Sequence, residues 1–533
     1  MGLTAAAVLT AASGVGTAAQ VAPGLTLHPV AANTKTAGMW SPNVLSPELA
    51  EVAVAHGSTR LENGTSAVPY YGYLGDGPML PLAGSTAEAT KTEPDKNTYL
   101  VLDGQKGADP AYANYGRRFL FQGHEGGTGI LTRINLDANE AHRVTLMATK
   151  DVNGNPLPTY DGSTYDPFAK KLLLTAEHGN SSEGGVWQAT LSVPSQVRDI
   201  SGALGRGGYE GVQNDSAGNV MLVEDIGGLT TTKFPNAKQP NSFVFRFVPT
   251  RAGNLTAGRL QALQVMSLRS NAPIVFHPAA ADADIKSADR KDLHTYGKSF
   301  TTRWVTVHDT ATDGTTPFDA NLAAKAAKAT PFKRPENGVF RPGSSFKDFF
   351  FTETGDTDVT TQAGAMYGGF GGVYKLTQDR PGANTGHLSI FFRGDAKHTG
   401  LDNISFFGAQ QMVAVEDAGD TLHSQRNALD SAYLFDTTAG YATKAPVRIL
   451  AEGRDPSATI DSGLGDADTA GFQNDGDNEI TGIHVSNGDP SVGGVLGALV
   501  PRPFVSGSGW HAFYTAQHGD NVTYEIVRNR LGE

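Results

Sequence analysis

Not one cysteine occurs in the 533 residues of this chain. Disulfides, Cys-ligated zinc, iron–sulfur clusters and thiol catalysis are excluded together, while the redox compartment stays open. Charge is also sparse, at 18% Asp, Glu, Lys and Arg, which excludes a coiled coil or an array of long charged helices. The scarcer sign is positive: 42 Lys and Arg stand against 54 Asp and Glu, a net charge of -12. Such a chain is repelled by phosphate backbones and anionic lipid, so no nucleic-acid or membrane-surface partner is expected. No segment carries the ~18 uninterrupted apolar residues of a membrane-spanning helix. What is plentiful is turn chemistry, with 64 Gly and 28 Pro, alongside 39% apolar residues, too many for disorder throughout. At about 150 residues per domain the length allows two to four small domains or one large all-β domain.

Residues 1–30 are set apart. The stretch MGLTAAAVLTAASGVGTAAQVA resembles the apolar and cleavage regions of a secretory signal without its basic start. A disordered tail is the alternative, and neither is expected to contribute to the fold. A signal implies a secreted or periplasmic protein.

Further along, one unit recurs: an acid, an apolar strand, a Gly-containing turn, a second apolar strand, then another acid. In YEGVQNDSAGNVMLVEDIGG, Glu210 opens and Glu224 and Asp225 close. In RPENGVFRPGSSFKDFFFTETGDTD, Glu336 opens and Glu353 closes. DNISFFGAQQMVAVEDAGD runs from Asp402 to Glu416 and Asp417. NEITGIHVSNGDP opens with Glu479 and, after a Gly-rich insertion, closes through WHAFYTAQHGDN at His518 and Asp520. RRFLFQGHEGG and KLLLTAEHGN show mainly the closing strand, ending at His124 and Glu125 and at Glu177 and His178. That makes about six units.

A hairpin returns its second strand to the side where the first began, so opening and closing acids share one end. Arranged radially in a β-propeller, about six such units deliver their acids to one mouth of a central channel. The expected architecture is therefore all-β: a propeller over 99–533 with loop and helical insertions near 255–300 and 311–333, and an arm, 31–98, packing on it. Any single acid here could be a solvated turn former. Recurrence at one place in each hairpin argues for convergence. Converging carboxylates repel unless cations join them, and an oxygen-rich site suits Ca²⁺, Mg²⁺ or Mn²⁺. Beside such a pocket an arginine can hold an anion. Arg334 is the candidate, facing the same side as Glu336 if that strand is regular, with a structural ion pair as the alternative. No Gly-Lys-Ser/Thr phosphate loop and no Gly-x-Ser-x-Gly elbow occurs, and aromatic-basic interleaving is absent.

The ordered set FLFQGHEGG, LLLTAEHG, RPENG, NEITGIHVS and FYTAQHGDN resembles the PhoX family of secreted alkaline phosphatases. The resemblance implies a β-propeller of about six blades that hydrolyses phosphate monoesters with iron and calcium at the channel mouth. Carried over by position, it makes Arg334 a phosphate contact and Glu336, Glu177, Glu210 and Glu479 metal ligands. Glu125 takes part more distantly, and Glu224, Glu353, Glu416 and His518 are further candidates. One departure matters: the family's Thr-Cys-Glu run reads Thr175, Ala176, Glu177. Without that cysteine an all-oxygen Ca²⁺ site is the expectation, and Fe³⁺ is disfavoured. The resulting expectation is a monomeric, secreted, metal-dependent phosphoesterase acting on small phosphate esters through a metal-activated water or oxo nucleophile. The alternatives are a calcium-stabilised binding propeller and a propeller hydrolase of another ester, such as a lactone.

Overall fold

A computed structural model describes residues 18–22, 25–35, 41–79, 89–454 and 479–529. Residues 1–17 of the signal-like stretch lie outside the described residues. The rest of that stretch does enter the fold: β1 (Ala19–Ala22) pairs with β2 (Leu25–Leu27), and Val21, Leu25 and Leu27 are buried in an apolar core. The alternation of small apolar and polar residues here is enough for a short strand with one buried face.

The chain then forms a succession of antiparallel meanders. The arm supplies β3 (Val44–Leu45) and β4 (Leu49–Ala55). The first meander is β5 (Thr98–Val101), β6 (Arg118–Gly123), β7 (Leu131–Asn135) and β8 (Val144–Ala148). The second is β9 (Ser163–Asp166), β10 (Lys171–Ala176), β11 (Gly185–Ala189) and β12 (Val197–Asp199). A nine-stranded sheet follows. Half of it is β13 (Tyr209–Asn214), β14 (Val220–Glu224), β15 (Val244–Pro249) and β16 (Gly258–Val265). The other half is β18 (Gly338–Phe340), β19 (Asp348–Glu353), β20 (Gly372–Thr377) and β21 (Thr385–Arg393). The ten-residue β17 (Phe300–Asp309) pairs with both β16 and β21 and so joins the halves along their outer edges. Next come β22 (Leu401–Phe406), β23 (Gln411–Glu416), β24 (Ser431–Asp436) and β25 (Val447–Ala451), extended by β3. Last are β26 (Glu479–Ser486), β27 (His511–Gln517) and β28 (Val522–Arg528), whose fourth strand is β4 from the far end of the chain.

Burial follows position. Second strands such as KLLLTA in β10 and DFFFTE in β19 are apolar on both faces because neighbouring meanders cover both. The outer β17 alternates buried and exposed residues because one face meets solvent. Apolar clusters lie between successive meanders: Leu174 and Phe121, Phe245 and Val186, Phe351 and Val223, Phe350 and Phe406. Phe513 of β27 packs in one cluster with Leu120 of β6, so the last meander meets the first. The arrangement is all-β and propeller-like.

One expected boundary shifts. Residues 255–300 were expected to be an insertion, yet they contain β16, an integral strand. Only the excursion after it, with the helices Ala281–Ile285 and Ala288–Leu293, leaves the sheet. Between β17 and β18 lies the helix Ala320–Ala326, within the insertion expected near 311–333.

Candidate metal centre

Each innermost strand carries an acid at or just before its start: Asp95, Asp161, Glu210, Glu336, Asp402 and Glu479. Each second strand runs back to the same end, and Glu125, Glu177, Asp225, Asp417 and His518 follow directly. Close packing of the innermost strands sets the geometry. A Cβ on Gly162 would stand 1.8 Å from the Glu210 carbonyl oxygen, so only glycine lets the second meander approach the third this closely. Bulges in β13, between Tyr209 and Val212, and in β22, between Leu401 and Ile404, locally turn the strands at Glu210 and Asp402.

Four carboxylates meet. One oxygen each from Glu177, Glu210, Asp225 and Glu336 lies within 4.8 Å of the others. At that separation two like charges repel by about 3 kcal/mol at an effective dielectric near 20. Glu210 and Glu336 are buried, 5% and 3% exposed. Burial, with Asp225 adding to it, raises the Glu336 pKa to about 8. Burial and then Asp225 and Glu336 push Glu177 well above the carboxylate range, and burial and Asp402 do the same to Glu210. Oε1 of Glu177 and Oε1 of Glu336 are buried without a hydrogen-bond partner. Asn337 Nδ2 bridges Glu210 Oε1 at 2.5 Å and Asp402 Oδ1 at 3.2 Å. Arg334 supplies the positive charge. Its Nε donates to Asp225 Oδ2 at 2.9 Å, and its Nη2 is 2.8 Å from the same oxygen and 3.4 Å from Glu336 Oε1. Arg334, with Lys238 acting on Asp225 and Glu336 and Lys96 acting on Glu210, still does not balance four carboxylates, so protons or a further cation must supply the remainder. Orphaned, all-oxygen donors in this number fit a hard divalent cation such as Ca²⁺.

A second group, Asp95, Glu125 and Asp161, also brings an oxygen from each within 4.8 Å. Burial and Asp402 raise Asp95 to about 7. Glu479 stands outside both groups. His518 Nε2 is 2.8 Å from Glu479 Oε2 and its Nδ1 is 3.0 Å from Glu93 Oε1. Burial disfavours the imidazolium, but these two carboxylates outweigh it and hold the His518 pKa well above its usual value.

Three expected candidates do not reach this rim. Glu224 is in register with Tyr209 and so faces away from Glu210. It accepts from Asn321 Nδ2 at 2.9 Å, and burial raises it to about 8. Its neighbour Asp225 takes the rim position. Glu416 faces Leu401 and accepts from Arg426 Nη1 at 2.8 Å, whereas Asp417 turns to the rim. Glu353 is fully buried between Arg290 and His294, whose Nε2 is 2.8 Å from Glu353 Oε2. Nor is the stretch at Arg334 a regular strand. Arg334 has φ 53°, and β18 begins only at Gly338. Its guanidinium reaches Glu336 through the turn, not through strand alternation. His124 lies buried between the hydroxyls of Thr92 and Thr132, at 2.9 and 2.8 Å, and burial lowers its pKa to about 3.

Missed by the motif reading were Asp95, Asp161 and Glu93. The signal for Asp95 and Asp161 was an acid two or three residues ahead of a strand, as in DGSTYD and DKNTYLV, the same kind of spacing that Glu336 has before β18.

No protein-family model matches this chain, and no curated protein sequence does. Among solved structures it is similar to Pseudomonas fluorescens PhoX in complex with vanadate, a transition state analogue. The TM-score is 0.54 at 11% identity, over 94% of this chain and 98% of that one. The likeness shows a shared PhoX-like fold. YCF48 from Cyanidioschyzon merolae is similar at a TM-score of 0.29, with 11% identity over 77% of this chain and 80% of that one. The α-L-arabinofuranosidase PaAbf62A from Podospora anserina scores 0.30, with 8% identity over 85% and 93%.

Proposed function

We propose that this chain is a metal-dependent phosphoesterase of PhoX-like type, built on a six-bladed propeller whose third and fourth blades are joined by β17. The observation that carries the reading is the quartet Glu177, Glu210, Asp225 and Glu336 beside Arg334. The fold it shares with a phosphatase crystallised with vanadate supports it. Glu177, Glu210, Asp225 and Glu336 would hold Ca²⁺, and Asp95, Glu125 and Asp161 would hold a second cation. Bound there, the cations would supply positive charge and Lewis acidity toward a phosphate monoester.

The chain's own part is electrostatic. Asp225 orients Arg334 through Nε and Nη2, while Nη1 has no hydrogen-bond partner among the described residues. That donor is available to a phosphoryl oxygen, where charge develops in the transition state. His518, held as imidazolium by Glu93 and Glu479, keeps a proton at the same rim.

A calcium-binding propeller without catalysis is the second reading, favoured because Asp225 already engages Arg334. Hydrolysis of p-nitrophenyl phosphate separates the two. Turnover abolished by chelator, restored by Ca²⁺ and reduced at least ~100-fold by Glu336→Gln is the expected outcome. Ca²⁺ binding with no phosphate release at any pH between 6 and 10 would select the binding protein instead.

A further inference from the structure

A cavity of ≈ 440 Å³, none of whose lining residues belongs to the quartet, opens between the segment Pro29–Thr34, the end of the helix Gly419–Arg426 and the outer strands β24 and β25. That volume falls within the usual range for small-molecule sites. Its apolar wall includes Pro29, Val30 and Pro446, and its lining carries the side chains of Lys397, Arg426, Arg448 and His398, of which His398 is paired with Asp395 and Arg426 with Glu416. In a chain of net charge -12 this is a local reversal.

Arg448 is fixed by neutral groups. Its Nε donates to Ser431 Oγ at 2.9 Å and its Nη2 to Tyr433 Oη at 3.0 Å, with the guanidinium 5.3 Å from the Tyr433 ring centroid. Neither Arg448 nor Lys397 has a carboxylate partner within 4 Å among the described residues. Arg426, with a side chain only 7% exposed, donates through Nη1 to Glu416, and its Nη2 is 3.9 Å from Asp430 Oδ1, so its charge is already matched by carboxylates. A guanidinium held by hydroxyls has a reduced ordering cost on binding, and although Glu416 acts on Arg448 at longer range, no carboxylate occupies its donors.

We propose that this cavity binds an organic anion with an apolar body, of the class of a medium-chain carboxylate. The anionic head would be taken by Arg448 and Lys397, and the body would lie against the Pro29–Val30 wall. The proposal does not rest on the phosphoesterase reading.

Calorimetric titration with octanoate tests it, using 1-octanol and acetate as the uncharged and headgroup-only controls. Octanoate should bind at least about tenfold more tightly than either control. Arg448→Gln and Lys397→Gln should each weaken it about fivefold to tenfold, with Glu336→Gln without effect. Lys397 is exposed, so its variant keeps the test valid should Arg448→Gln fold poorly. Equal binding of octanol and octanoate, or full affinity in the Lys397→Gln variant, would overturn the assignment.

Discussion

At the scale of single residues, the protein separates two uses of a buried carboxylate. Glu353 is compensated: burial opposes its charge, but Arg290 and His294 more than offset this and lower its pKa to about 2. Glu336 is not compensated and is raised to about 8. For Glu353 the folded value lies below the unfolded one of 4.5, so its contribution is complete above pH 4.5 and is lost as pH falls toward 2. The magnitude is on the order of 3 kcal/mol. Glu353→Gln should therefore lower stability in urea by about 3 to 5 kcal/mol at pH 7, because Arg290 is left buried without its counter-charge. The gap to wild type should narrow between pH 4.5 and 3. Parallel unfolding curves across that range would show that Glu353 is not ionised in the fold.

Strands and their junctions decide which acid faces the rim. Gly162→Ala places a methyl group against the Glu210 carbonyl and Thr175 Oγ1, at 1.8 and 2.5 Å. Thermal unfolding should show a loss of about 1 to 3 kcal/mol, and Ca²⁺ affinity should fall with it because β13 must shift. A destabilised variant with unchanged Ca²⁺ affinity would uncouple this contact from the quartet. The same junctions mark what could be read from the sequence. Glu177, Glu210 and Glu336 meet as their place in each hairpin implied. The choice between Glu224 and Asp225, or Glu416 and Asp417, was not legible, because a bulge in the paired strand sets the facing parity and leaves no compositional mark. Glu479 was read as a ligand on position alone, yet its nearest partner is a histidine. The bridging β17 was invisible too, since outer-edge pairing between meanders depends on their relative placement and not on local pattern.

For the molecule as a whole, acids gathered at one rim tie stability to pH and to cations. Glu177, Glu210 and Glu479 have raised pKa values, and Asp95 and Glu336 reach about 7 and about 8, in each case chiefly through burial. A raised carboxyl pKa gives stability that is complete below the unfolded value and is lost as pH rises through the folded one. Metal-free protein should accordingly melt at lower temperature as pH rises from 5 to 9. A fixed Ca²⁺ concentration, set at a hundred times its Kd at pH 9, should return about 2.7 kcal/mol there and less at pH 6, where protons compete for the same oxygens. Scanning fluorimetry with chelator or Ca²⁺ across that range measures both slopes. A Ca²⁺ effect independent of pH would mean that cations do not replace protons at these oxygens.

The pairing of β4 with β28 has a consequence for biosynthesis. Leu49–Ala55 is made long before its partner Val522–Arg528, with every other meander encoded between them. The nascent polypeptide must therefore carry an unmated strand while all the intervening meanders are synthesised, and the ring can lock only once β28 has emerged.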